Sequence, residues 1–343
     1  MKQTASGSAA RLEQLLRTFQ GAPSVVILTH DNPDPDALAS AFALRHLLEN
    51  LCDTRARVAF SGLIGRAENR AMVKVLGLEP EPLSTLDLSG VAAFAMVDTQ
   101  PGSGNNSWVD EWPLVAVFDH HPLKFEPDTI AFADVSESYG ATATMMLRYL
   151  DAAELELPTN LATALFYALR SETLDLGREA GEADREAYFR LLEQADLVSV
   201  ARIQRARVPR EYFRAFHQAI ERAVVYDKVV MTDLQVVAVP DIVAEIADFL
   251  LRLQGAEWSC CIGQYRNDLV VSLRTTDPFA HAGRFIRRIV AGLGTAGGHG
   301  TMAGGQVPVA EGAYEEMATT VTQRLLAALG QDLSPGEALV RSG

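Results

Sequence analysis

The chain has 343 residues, 48% of them hydrophobic, and a formal net charge of −14. That length suits two ordinary domains with real cores, and the acidic balance excludes a broad basic surface for long duplex nucleic acid. It leaves room for a small anionic substrate in a local basic pocket, or for cations held by carboxylates.

No apolar run approaches the roughly 18 residues of a membrane span. The polar N-terminal stretch MKQTASGSAARLEQLL reads as a leader into a helix rather than a signal segment. Cysteines are few (Cys52, Cys260 and Cys261), and two are adjacent, which fits a reduced, cytoplasmic protein.

In chain order, VVILT (25–29) predicts a strand and Asp36 to Glu49 a helix. RVAF (57–60) and a helix near Asn69 to Leu76 follow. FAMVD (94–98), VAVFD (115–119) and IAFAD (130–134) are further strands, and Gly140 to Leu150 and Thr159 to Arg170 are helices. Continuous apolar strands alternating with helices predict an α/β domain whose parallel sheet carries helices on both faces.

From about 184 to 226 the chain reads as helical and charged, with REYFRAFHQAIERAV (210–224) as an amphipathic connector. VVMTDLQVVAV (229–239) and WSCCIGQYRNDLVVSLR (258–274) then look like hairpin strands, the second turning at 266–268. Helices are expected at about 241–253, 281–292 and 313–329. The expected organisation is a domain over 1–200, a helical connector over 201–229, and a smaller α+β domain over 230–335 across a cleft.

Several predicted strands end in acid or histidine: Thr29-His30, Asp98, and Asp119-His120-His121. In an open parallel sheet the ligand site lies off the carboxyl ends of the strands. His30, Asp34, Asp36, Asp98, Asp119, His120 and His121 are therefore expected to converge. Carboxylates gathered without matching Lys or Arg repel one another, and a bound cation resolves the repulsion. Mixed His and Asp donors suit Mn²⁺-like ions more than Ca²⁺. Taken alone, HDNPDPDALAS (30–40) reads equally as a proline turn at Asp34 and a helix cap at Asp36. Adjacent histidines after Asp119 have no packing rationale.

HDNPDPDALAS, VDT (97–99) and DHHP (119–122) resemble the first three motifs of the DHH phosphoesterase superfamily, which includes RecJ, nanoRNases, cyclic-di-AMP phosphodiesterases and family II pyrophosphatases. SLRTTD (272–277) and GTAGGHGTMAGGQVP (294–308) resemble the arginine strand and glycine-histidine motif of the DHH-associated C-terminal domain. The resemblance implies one metal on His30, Asp34 and Asp98, and a second on Asp36, Asp98, His120 and a fourth-motif acid. It also implies His121 beside the substrate phosphate and Asp119 orienting a ligand histidine.

The fourth motif departs from the family: the helix ends in Ser171-Glu172-Thr173, which puts Glu172 at the ligand position, with Asp175 as the alternative. Arg274, Gly297, Gly298 and His299 are expected to take a terminal phosphate through a planar cation and open backbone N–H groups. Arg284, Arg287 and Arg288, at i, i+3 and i+4, read as a solvated basic helix face, with an extension of the anion site as the alternative.

The expected function is a phosphoesterase using two divalent ions, Mn²⁺ before Mg²⁺ or Co²⁺. Its substrates would be short single-stranded oligonucleotides or 3′-phosphoadenosine 5′-phosphate. The alternatives are a cyclic-dinucleotide or pApA phosphodiesterase, or a non-catalytic nucleotide sensor. A family II pyrophosphatase is disfavoured because its Ser-Arg-Lys-Lys-type motif is not found. No membrane partner is expected, and a homodimer is left open.

Overall fold

The computed structural model describes residues 2–331 and 336–340; the side chains of residues 2–7 and of His299 lie outside the described set. Among the described residues no helix is long and apolar enough to cross a membrane. The chain divides into two compact units, Met1–Ala206 and Arg207–Gly343.

The first unit runs α1 (Lys2–Phe19), β1 (Ser24–Leu28), α2 (Pro35–Leu51), β2 (Arg55–Phe60), α3 (Ala67–Leu76), β3 (Glu81–Pro82), β4 (Ala93–Val97), β5 (Leu114–Asp119) and β6 (Phe132–Val135). Four helices complete it: α4 (Thr142–Ala152), α5 (Thr159–Glu172), α6 (Glu182–Gln194) and α7 (Leu197–Gln204). The six strands form one parallel sheet in the order β3-β2-β1-β4-β5-β6.

Successive strand residues point to opposite faces. Val25, Ile27, Ala95 and Phe118 therefore join the core made with α1, α2, α4 and α5. Val26, Leu28, Phe94, Met96 and Val117 face the other way, onto Leu83, Leu86, Trp108, Trp112 and Phe125 of connecting segments that contain two short 3₁₀ turns. Both faces are thus covered, which is why the strands read as unbroken apolar runs.

The second unit contains α8 (Arg210–Arg222), β7 (Val224–Tyr226), β8 (Val229–Val236), α9 (Asp241–Leu250), β9 (Trp258–Tyr265), β10 (Asp268–Thr275) and α10 (Ala282–Ile289). It ends with β11 (Thr295–His299), β12 (Met302–Pro308), α11 (Tyr314–Ala328) and β13 (Glu337–Ala338). The mixed sheet has the order β11-β12-β10-β9-β8-β7-β13. Helices α10 and α11 cover one face and α8 and α9 the other. Cys260 and Cys261 are buried on opposite faces, as strand alternation requires, and burial pushes the Cys260 thiol up to about 12.

One expectation changes here. The helix expected to run through 226 stops at Arg222, and Val224–Tyr226 pairs antiparallel with β8. The hairpin expected to turn at 266–268 is β9 with β10. Strands β8 and β9 are parallel, because α9 carries the chain back between them. The glycine-rich run forms an antiparallel pair, β11 with β12.

Gly283 in α10 explains how close that pair lies. A Cβ there would stand 2.0 Å from the Gly298 carbonyl oxygen, and Ala282 N–H donates to Gly300 O at 2.9 Å. Gly283→Ala is expected to force helix and strand apart, costing about 1–3 kcal/mol. Urea denaturation reads this as a lower midpoint; an unchanged midpoint would mean that the contact yields freely.

Candidate metal centre

Strands run outward from the middle of the first sheet in both directions, β1 to β2 to β3 one way and β4 to β5 to β6 the other. Such a reversal opens a crevice at the carboxyl ends of the two central strands. His30 follows β1, Asp98 follows β4, and Asp119 ends β5 with His120 and His121 after it.

Asp98 stands at the centre. Its φ is 59°, a conformation few non-glycine residues adopt outside special sites. It is 2% exposed. Its Oδ2 lies 3.5 Å from His30 Nε2 and its Oδ1 lies 3.6 Å from His120 Nε2. The two carboxylate oxygens thus face two different imidazoles. His30, Asp34 and Asp98 form one group of candidate ligand atoms within 4.8 Å of one another, and Asp98, His120 and His121 form another.

The local sequence accounts for the rest of the arrangement. Asp34, not Asp36, is the N-cap of α2, and its Oδ1 accepts from the N–H groups of Asp36 and Ala37 at 2.9 and 3.0 Å. The same oxygen is 3.8 Å from His30 Nε2. Pro35 occupies the first turn, where its missing N–H costs nothing. Asp36 is buried and accepts from Thr142 N at 2.7 Å and Ala143 N at 2.8 Å. Its Oδ2 is 4.0 Å from His120 Nε2. Thr142 Oγ1 also donates to Asp98 Oδ1 at 2.9 Å, so the start of α4 braces both carboxylates.

The outer nitrogens of the histidines are held as well. His30 Nδ1 sits 2.9 Å from Asp31 O and His120 Nδ1 sits 3.3 Å from Tyr139 O. His121 Nδ1 pairs with Asp119 Oδ1 at 2.7 Å, and Gln100 Nε2 donates to Asp119 Oδ2 at 2.7 Å. Partners of this kind set ring orientation and tautomer in metal sites.

Electrostatics show what the cluster holds in the absence of a cation. Burial, then the charges of Asp98, Asp34 and Glu172, pushes the Asp36 carboxyl well up. Burial and Asp34 likewise raise Glu172. Burial opposes a charge on His30, yet its bonds to Asp34 and Asp98 raise it well above the usual histidine value. His121 is raised to about 9, with burial opposing and Asp119 prevailing. The carboxylates thus hold protons more tightly than usual, as crowded negative charge requires, and the donor set, two carboxylates and two imidazoles around Asp98, fits a divalent ion.

The fourth-motif acids separate cleanly. Glu172 ends α5 and interacts electrostatically with Asp34, His120 and Asp98. Its Oε1 lies 3.1 Å from Arg178 Nη2. Asp175 is turned to the surface, where the Arg170 fork takes both its oxygens at 2.9 Å and Tyr188 adds a bond at 3.0 Å.

In the second unit Arg274 is buried. Its Nε donates to Asp248, and its Nη1 bonds Ser272 Oγ, Leu273 O and Ala303 O. Gly297 and Gly298 lie exposed in β11. His299 is the last residue of that strand, and its side chain lies outside the described residues.

Sequence reading missed Thr142, Gln100 and Asp184. Asp184 is fully buried and accepts from Gly140 N at 2.9 Å, Gly181 N at 2.7 Å and Thr144 Oγ1 at 2.6 Å. It anchors the segment that carries Thr142 and Ala143. The only local signal is an acid in the first turn of α6, three residues after Gly181, whose N–H it accepts.

Two outcomes follow from this geometry. Asp184→Ala leaves buried donors behind, at about 1–3 kcal/mol each. It should lower the melting midpoint and weaken divalent-metal affinity, with Asp184→Asn milder in both; unchanged metal affinity in Asp184→Ala would detach the brace from the site. Second, Asp34 and Asp98 raise His30 well above the usual histidine value against its burial, and a metal must displace protons from its ligands. Uptake of Mn²⁺ should release protons and tighten as pH rises. Calorimetry in buffers of different ionisation enthalpy measures the release, and a buffer-independent enthalpy would contradict it.

Residues 24–169 match the DHH family, N-terminal domain. An uncharacterized protein of Methanocaldococcus jannaschii is 32% identical over 287 residues, 83% of this chain and 58% of that protein. A probable manganese-dependent inorganic pyrophosphatase of Lactobacillus johnsonii is 27% identical over 170 residues, 48% of this chain and 53% of that protein. The chain thus spans little more than half the length of these curated relatives. An exopolyphosphatase-related protein from Bacteroides fragilis shares the fold, with a TM-score of 0.67 and 16% identity over 93% of this chain and 96% of that one. Residues 24–169, which carry every residue of the Asp98 cluster except Glu172, are the part of the chain that matches the DHH family.

Proposed function

We propose that the chain is a divalent-metal-dependent phosphoesterase acting on short single-stranded oligonucleotides, with 3′-phosphoadenosine 5′-phosphate as a second substrate. One observation carries the reading: the two oxygens of buried Asp98 face His30 and His120 separately, at 3.5 and 3.6 Å. A carboxylate so placed would be available to both groups of candidate ligands. His30 and Asp34 would complete one ion's ligands, and Asp36, His120 and Glu172 the other's. Divalent ions held there supply Lewis-acid charge and lower the pKa of water.

The chain's own groups do the remaining work. Thr142 and the first N–H groups of α4 keep Asp98 and Asp36 aimed inward. Asp119 holds the proton on His121, leaving an imidazolium suited to a phosphate oxygen as charge develops. The manganese dependence in the name of the Lactobacillus relative supports Mn²⁺ as the working ion. A second reading, hydrolysis of inorganic pyrophosphate, draws on that same relative, whose match covers 48% of this chain.

Turnover should vanish on chelation and return with Mn²⁺ better than with Ca²⁺, because imidazoles accompany the carboxylates. Asp98→Asn is the sharpest variant. Asn tolerates positive φ as Asp does, so the fold should survive while activity drops by orders of magnitude. Product analysis on pApA, a five-nucleotide RNA, cyclic-di-AMP and pyrophosphate checks both the loss and the substrate. Near-normal turnover in Asp98→Asn would refute the shared-carboxylate reading, and pyrophosphate as the sole substrate would replace the oligonucleotide.

A further inference from the structure

Helix α5 ends at Glu172, and the chain beyond it takes an unusual path. Leu174, Asp175 and Leu176 have φ values of 49°, 54° and 68°. Among the described residues this is the only run of three consecutive non-glycine residues at positive φ. The left-handed region presses Cβ against a neighbouring carbonyl oxygen, so each such residue must be held there by its surroundings.

Part of the path is an ordinary helix end. Leu174 N–H donates to Ser171 O at 3.5 Å and Asp175 N–H to Arg170 O at 2.8 Å, the pattern of a Schellman cap, which needs one left-handed residue. That accounts for Leu174 and leaves Asp175 and Leu176. Burial does not account for them: Asp175 is exposed, Leu176 is half-buried, and Leu174 beside them is 63% exposed.

Polar contacts do. The Arg170 fork donates to the two Asp175 oxygens at 2.9 Å each, and Tyr188 O–H donates to Oδ1 at 3.0 Å. Tyr188 is itself set by its ring, which meets Phe166 of α5 edge-on with centroids 5.0 Å apart. An isolated surface ion pair fixes little. A two-pronged pair joined by a tyrosine from a second helix fixes the carboxylate in direction as well as place. Asp175 thereby pins the middle of the turn to α5 and α6.

The far side of the turn carries Arg178. Its N–H donates to Thr173 O at 2.8 Å, and Leu176 N–H donates to Thr173 Oγ1 at 3.1 Å. Arg178 Nη2 reaches back to the Glu172 carbonyl oxygen and, at 3.1 Å, to Glu172 Oε1. The left-handed turn thus reverses the chain and brings Arg178 onto the acid that ends the helix. Glutamate needs this more than aspartate would, because its extra methylene adds a rotatable bond whose freedom is lost when the carboxylate is fixed.

We propose that Asp175 is a positioning residue for Glu172: held by Arg170 and Tyr188, it maintains the left-handed turn that sets Arg178 on the Glu172 carboxylate. Asp175 itself touches no metal in this assignment, which rests on the reading of Glu172 as a ligand of one of two ions.

The test is a calorimetric titration of the full chain with Mn²⁺ and no substrate. Two ions should bind, and Glu172→Ala should weaken one of them. Asp175→Ala should weaken that same ion about tenfold to hundredfold, the range for removing a group that orients a ligand, and leave the other unchanged. Asp175→Gly, which takes positive φ without strain, should lose as much. Asp175→Asn keeps one acceptor and tolerates the same φ, and should fall between. In the Glu172→Ala background Asp175→Ala should change nothing further, because its effect passes through Glu172.

Wild-type affinity for both ions in Asp175→Ala and Asp175→Gly overturns the assignment. So does equal weakening of both ions, which a general loosening of the fold would give, and so does a further loss on top of Glu172→Ala. A loss in Asp175→Ala that is absent in Asp175→Gly traces to backbone strain rather than to the carboxylate, and overturns it too. Uptake unmoved by Glu172→Ala removes that residue from the metal ligands and the assignment with it. A chain that shows the expected pattern yet hydrolyses no phosphoester with Mn²⁺ sinks only the proposed activity.

Discussion

The first unit depends on a single crowded carboxylate. Asp98 sits at the reversal point of a parallel sheet, buried and at a positive φ, with a different imidazole on each oxygen. Burying it near Asp34, Asp36 and Glu172 would be costly unless their charge were answered. The structure answers with raised proton affinity at Asp36, Glu172, His30 and His121, and with the N–H groups that begin α2 and α4. A site arranged this way is tuned to exchange protons for metal.

That tuning is transmitted through the scaffold. Asp34 caps α2 and faces His30 with the same oxygen, so the bonds that cap the helix also orient the acid. Asp184 ties down Gly140 and Thr144, which places Thr142 between Asp36 and Asp98. Helix termini and buried carboxylates thus serve stability and site geometry through the same bonds.

In the second unit glycine does comparable work by absence. Gly283 and Gly298 let helix and strand approach until no side chain fits between them. Gly298 also has a φ of 143° and no room for a Cβ, with Met302 O at 2.4 Å. The hairpin that looks like a loose loop in composition is held by this contact and by pairing with β12.

The sequence by itself determined the strand-helix alternation of the first unit, the residues at its strand ends, and the Asp119-His120-His121 triplet. These features are local: apolar runs, turns and adjacent residues report on their own neighbourhood. What it left open was decided by contacts across long stretches of chain. Thr142 reaches Asp36, 106 residues away, and Asp184 reaches Gly140, 44 residues away. Asp175 and Glu172 are three residues apart, and only the Arg170 ion pair against the electrostatic neighbourhood of Asp34 and His120 separates them. Side-chain direction in a folded core depends on which distant surfaces close around it, and that is settled only when the layers pack.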